Sequence, residues 1–214
     1  MLIDTHIHLD FEKYQEDLDE VLLRAKQAGV NYSICIGAGS GRNSIDGAYD
    51  LAQKYPDQLF CTLGVHPHDA GKEISEKEII DKAERGNIVA IGETGFDFHY
   101  DFAPKDLQEK WFRFQIELAK SYKLPLIIHS REAGEESLKL LTEMSAHEVG
   151  GVFHCYSEDD KFAEKLRDIN FLVSCTGTLT FKKADAYREV FKNIPLTQIM
   201  LETDGPYMAP ETHR

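Results

Sequence analysis

The chain is short of positive charge: 24 Lys and Arg stand against 37 Asp and Glu in 214 residues, a formal net charge of −13. That balance excludes coating of nucleic acid or an anionic membrane through a broad positive field, which needs Lys and Arg gathered on one face. Any anionic substrate must be gripped locally. No apolar stretch exceeds about five residues, far short of the roughly 20 that a membrane-spanning helix needs, so no membrane partner is expected. Met1 leads at once into an acidic, His-bearing segment with no basic region before it, which argues against export and for a cytoplasmic location. There is no CxxC pair: Cys35, Cys61, Cys155 and Cys175 stand alone within apolar runs, and all read as small buried hydrophobes in a reducing compartment. No low-complexity segment or linker divides the chain, so one domain over 1–214 is expected.

What is present is a series of eight short apolar runs, at 2–9, 32–38, 59–65, 88–91, 124–128, 151–153, 171–175 and 199–201. Helical periodicity fills the gaps, as in Leu18, Val21, Leu22, Ala25 and Ala28 closed by Gly29, or Leu107, Trp111, Phe114 and Leu118 opened by Pro104. Ser75 with Glu78 forms a capping box. Each gap is wide enough for a crossover helix, and β-α alternation of this kind implies a parallel sheet. Eight units predict an α/β (β/α)₈ TIM barrel. The competing doubly wound sheet wants a glycine-rich phosphate loop after its first strand, and 9–17 holds none. The stretch 96–103 is aromatic and acidic, as an active-site loop would be.

A His or a carboxylate closes run after run. His6 and His8 end the first, His66 the third, Glu93 the fourth, His129 the fifth, His154 the sixth, and Glu202 with Asp204 the eighth. In a barrel those ends converge on the rim that carries the active site. His6 and His8 are two apart on a strand, so both imidazoles project from one face and can share an ion. Further groups of this kind at equivalent ends would be costly to bury unpaired, whereas a divalent ion partners each of them. Mixed imidazole and carboxylate donors suit Zn²⁺ or Mn²⁺, with Mg²⁺ activity also open. Six candidate ligands exceed one tetrahedral shell, which points to two divalent ions sharing a carboxylate.

The ordered set DTHIHLD at the start, GVHP at 64–67, IGETGFD at 91–97, IIHSR at 127–131, HCYS at 154–157 and ETDGPYMAP at 202–210 resembles the TatD family of metal-dependent deoxyribonucleases. The resemblance implies that His6, His8 and Asp204 hold a first ion, that Glu93 bridges, and that His129 and His154 hold a second. It places His66 on the scissile phosphate. It implies hydrolysis of phosphodiester bonds in DNA, with Asp204 as general base and Glu93 also in the catalytic set. Glu202 shares the strand face of Asp204 and supports the shell from the substrate side. Departures lie in the substrate region: Cys175 and Thr178 within CTGTLTFKKA, and His99 in GFDFHY.

Arg131, Lys182 and Arg214 are the nearest cations by strand-end position for anchoring phosphates, and Phe96, Phe98, Tyr100 and Tyr156 are candidates for stacking on unpaired bases, which favours single strands or ends. An ester or amide such as a D-aminoacyl-tRNA is the alternative substrate, and an inactive fragment the alternative outside enzymes. A complete (β/α)₈ chain has about 250 residues. Here the sequence ends soon after the eighth run, so a C-terminally truncated barrel lacking its last helix is expected, with self-association through the uncovered seam.

Overall fold

The apolar runs become eight parallel strands: β1 (Leu2–Ile7), β2 (Val30–Cys35), β3 (Leu59–Leu63), β4 (Ile88–Asp97), β5 (Leu126–Arg131), β6 (Gly151–Phe153), β7 (Phe171–Cys175) and β8 (Ile199–Leu201). They come from a computed structural model whose described residues are 1–37 and 45–213. The end of the second run at Ala38, and Arg214, lie outside the described residues. Among the described residues seven α-helices join the strands: α1 (Leu18–Gln27), α2 (Gly47–Lys54), α3 (Glu76–Ala83), α4 (Lys105–Tyr122), α5 (Gly134–Glu143), α6 (Asp160–Asp168) and α7 (Asp185–Asn193). The strands follow one another in chain order. Beyond β8 the sheet curls back onto β1: Ile7 bridges Gly205 in parallel, Asp204 N–H donates to His6 O at 2.8 Å, and His8 N–H donates to Gly205 O at 2.8 Å. The fold is therefore a TIM barrel that is nearly closed, and after β8 the described residues hold a short 3-10 turn (Glu211–His213) but no α-helix. None of the described helices is long and apolar enough to cross a membrane.

Local chemistry accounts for the element ends. Gly29, at φ +92°, takes the positive-φ turn after α1, and the Ser75 hydroxyl accepts the Glu78 N–H at 3.1 Å to start α3. Pro104 is the N-cap residue of α4 and, lacking an N–H, leaves no donor of its own unpaired there.

Two elements differ from the sequence reading. The fourth strand does not stop at Ile91 but continues to Asp97, because Gly92 and Gly95 let its backbone press against β5. A Cβ at Gly95, which sits at φ +135°, would stand 2.1 Å from His129 O, so only glycine fits. Phe96 and Asp97 thus belong to a buried strand and not to a loop. On α4 the buried face is turned from the expected one: Phe112, Ile116 and Ala119 join Trp111 and Leu118 in the main core cluster, and Gln108 and Gln115 are buried among them. Both amides are hydrogen-bonded to backbone, which makes their burial tolerable.

Candidate metal centre

The strand ends bring the predicted ligands to one point. Glu93 occupies its centre, with its two oxygens facing different neighbours. Oε2 lies 3.5 Å from His6 Nε2 and 3.9 Å from His8 Nε2, while Oε1 lies 2.8 Å from His129 Nδ1 and 2.7 Å from His154 Nε2. Asp204 Oδ1 completes the first group, 3.4 Å from His8 Nε2 and 3.7 Å from His6 Nε2. The rings of His6 and His154 stack at 4.0 Å and link the two halves. A carboxylate with one oxygen in each half is the geometry a bridging ligand needs.

The donor set fits divalent cations. The Nε2 atoms of His6 and His8 approach to 3.3 Å, as do His129 Nδ1 and His154 Nε2, with carboxylate oxygens beside both pairs. Lone-pair atoms gathered this closely in a buried place need a positive charge among them. On the outer edge, His6 Nδ1 and His154 Nδ1 are buried without a hydrogen bond. Glu202 Oε1 stands 3.7 Å from His154 Nδ1, an electrostatic pairing and not a hydrogen bond. Burial disfavours charge on His8, His129 and His154, yet the carboxylates around them raise all three above the ordinary imidazole value, His154 most strongly. Burial would raise Glu93, but the imidazoles of His154, His66 and His129 hold it well below the carboxylate range. Asp204 is lowered too, by His8 and His6 against the same desolvation.

His66 behaves differently. Burial pushes its pKa down to about 4, so it is neutral. Its Nδ1 accepts the His68 N–H at 3.1 Å, which leaves the proton on Nε2, 3.4 Å from Glu93 Oε1. That nitrogen is a donor on the wall of a cavity of about 1120 Å³ that opens over the centre.

The remaining expectations divide. Arg131 lines the cavity, its guanidinium 4.7 Å from the ring centre of Tyr100. Glu202 is not among the residues that line it: Oε1 accepts the Cys155 N–H at 2.7 Å, on the Nδ1 side of His154. Lys182 is on the outside, paired with Glu211 at 3.5 Å. Of the aromatic candidates only Tyr100 reaches the cavity. Phe96 and Tyr156 are buried in the core, and Phe98 lies beneath Lys105. His99 pairs with Glu132 at 2.7 Å instead of facing the cavity. Cys155 is not a buried hydrophobe in a strand: it follows β6 at φ +45° and lines the cavity, although burial raises its thiol to about 11.

Sequence reasoning missed Asp97, His68, Phe102 and Tyr207. Asp97 Oδ2 receives His68 Nε2 at 2.7 Å and His129 Nε2 at 3.0 Å, and it stands four residues after Glu93 on the same strand. His68 follows His66 at the spacing seen for His6 and His8, a signal present in GVHPH. Phe102, 64 % exposed, stacks with Tyr100 at 5.1 Å, and Tyr207 lines the cavity near His8, the two ring centres 6.4 Å apart.

This rim, with four imidazoles and Asp204 in two groups around Glu93, agrees with what the chain is similar to. The family described as TatD related DNase matches residues 3–214. The chain belongs to the TatD family. The class this membership gives is that of a metal-dependent hydrolase. It is 39 % identical to the uncharacterized metal-dependent hydrolase YabD of Bacillus subtilis, over all of this chain and 84 % of that protein. It is 34 % identical to the 3'-5' ssDNA/RNA exonuclease TatD of a Rahnella species, over 98 % of this chain and 80 % of the relative. The crystal structure of YJJV, a TatD homolog from Escherichia coli K12, superposes with a TM-score of 0.88 at 31 % identity, covering this whole chain and 82 % of that one.

Proposed function

We propose that this TatD-family chain hydrolyses phosphodiester bonds in DNA, acting on single strands or strand ends with divalent metal in the rim centre. The observation that carries the reading is Glu93, whose two oxygens face two separate donor groups under a cavity large enough for a nucleotide. His6, His8 and Asp204 would hold one ion, His129 and His154 the other, with Glu93 shared between them. Ions of Zn²⁺, Mn²⁺ or Mg²⁺ would supply Lewis-acid charge to a phosphoryl group and bring the pKa of water within reach of neutrality.

The protein's own groups then divide the work. Asp204, kept ionised beside His8 and His6 and lining the cavity, would accept a proton from attacking water, while Glu93 is shared between the two groups of imidazoles. His66 donates from Nε2 to a phosphoryl oxygen whose charge grows in the transition state. Arg131 supplies the cavity with a guanidinium for a flanking phosphate. Tyr100, Phe102 and Tyr207 offer ring faces to unpaired bases, which a duplex keeps stacked. The Rahnella relative's name, an exonuclease of single-stranded DNA and RNA, supports the same substrate class.

A panel tests this: a single-stranded oligodeoxynucleotide, a generic aryl phosphodiester and a D-aminoacyl ester, each with metal-loaded protein. Turnover of the oligonucleotide above the other two is expected. Preference for the aminoacyl ester would replace the nuclease with a barrel esterase, and no turnover of any of them would leave an inactive fragment.

A further inference from the structure

Asp97 is buried at the end of β4, and each of its oxygens has a pair of donors. Oδ1 accepts the backbone N–H of His99 and of Tyr100, both at 3.0 Å. Oδ2 lies 3.0 Å from His129 Nε2 and 2.7 Å from His68 Nε2. The main chain under this carboxylate is fixed by the buried Gln108, whose Oε1 accepts Asp97 N–H at 2.9 Å and whose Nε2 donates to Asp97 O at 3.2 Å and Ala103 O at 2.9 Å. Asp97 is therefore held in register independently of either imidazole.

A neutral imidazole carries one N–H, and both ring nitrogens of His129 face a carboxylate, Nδ1 facing Glu93 at 2.8 Å and Nε2 facing Asp97 at 3.0 Å; an ion held beside Glu93 needs the Nδ1 lone pair, so the proton belongs on the nitrogen facing Asp97. For His129 that nitrogen is Nε2. Its Nδ1 is left with a lone pair directed at Glu93 Oε1 and toward His154 Nε2, 3.3 Å away. We propose that Asp97 is the positioning residue of the second ion's ligands: it sets His129 in the Nε2–H tautomer and, through its other oxygen, ties that ring to the Tyr100 lip of the cavity. The inference rests on the reading of His129 as a metal ligand. It gives the loop after β4 a direct connection to the centre, so substrate packing on Tyr100 and ligand orientation share one carboxylate.

An amide in place of the carboxylate has one accepting oxygen for two accepting tasks. The loop side presents two backbone N–H groups that cannot change, whereas an imidazole can exchange tautomers. In Asp97→Asn the oxygen therefore stays with the loop, the NH₂ faces His129 Nε2, and the ring proton moves to Nδ1, where it blocks a ligand position.

The test is a Zn²⁺ titration by calorimetry of wild-type protein and Asp97→Asn, with circular dichroism to compare their folds. It is paired with ¹⁵N imidazole NMR of Zn²⁺-loaded wild type, which requires no variant to fold. The expected results are about 10- to 100-fold weaker Zn²⁺ binding at one of two sites in Asp97→Asn, and a wild-type His129 protonated at Nε2. Equal Zn²⁺ affinity at both sites in a folded Asp97→Asn overturns the role of Asp97 alone. So does a wild-type His129 protonated at Nδ1, even if the variant does not fold. Wild-type protein that binds no Zn²⁺ overturns the metal centre itself, and this inference with it.

Discussion

His66 and the three raised histidines make opposite predictions at the level of single residues. His66 is neutral through burial and donates from Nε2, so it adds nothing to ground-state charge and acts as phosphoryl charge develops. His66→Ala should lower kcat by about 100-fold with little change in KM, as read from steady-state kinetics on an oligonucleotide; a raised KM at unchanged kcat would contradict it. At His8, His129 and His154 the surrounding carboxylates outweigh burial and raise the affinity of the rings for protons. Their pKa values are raised above the unfolded value of about 6.5, so the stability they lend is full below that value and is lost as pH rises through the folded ones. Metal needs the same nitrogens unprotonated. Divalent binding at neutral pH should therefore release protons and tighten as pH rises, which calorimetry in two buffers of different ionisation enthalpy measures. Binding that releases no proton would contradict the assignment of these rings as ligands.

Among the elements, α4 is the support of the centre. Gln115 accepts Val65 N–H at 2.7 Å and donates to Val65 O at 3.1 Å and to Thr94 Oγ1 at 2.7 Å, which locks the chain leading to His66 onto β4 beside Glu93. Gln115→Ala would strand buried backbone groups at about 1–3 kcal/mol for each unsatisfied group. A fall in Tm together with a loss of kcat is expected, and a variant with wild-type Tm would show that water or a neighbour replaces the amide. Nothing in the hydrophobic periodicity announces this role, since a helical pattern read from Leu107, Trp111, Phe114 and Leu118 leaves Gln108 and Gln115 on the flank of its apolar stripe. The strand ends were legible for the opposite reason. At His6, His129 or His154 an apolar run closes on an imidazole, a pattern that costs free energy unless the group has a partner. The apolar run of β4 breaks at Ile91 because Glu93 and Thr94 are polar and Gly92 and Gly95 interrupt it, although those glycines are what allow the strand to continue against β5. Phe102 and Tyr207 were missed because an exposed aromatic on a loop carries no spacing signal; only the folded rim shows what it faces.

For the molecule as a whole, the outside of the barrel is covered unevenly. Outward side chains of a parallel barrel are normally buried beneath helices. At the seam Ile3 of β1 is 45 % exposed and Leu201 of β8 57 % exposed, with Thr5 Oγ1 bonded to Leu201 O between the strands. We expect the 214-residue chain to self-associate through this strip, and Leu201→Lys to shift it toward monomer, both followed by light scattering. A monodisperse wild-type monomer would contradict the expectation.

Hydrolysis that depends on divalent metal held by Glu93 is the central claim, and one measurement meets it directly. An end-labelled single-stranded oligodeoxynucleotide is incubated with metal-loaded wild type, with the same protein after chelation, and with Glu93→Ala. The account predicts shortened products from the first alone, restored when metal is returned to the chelated wild type. Cleavage that survives chelation, or wild-type turnover by Glu93→Ala, would contradict it.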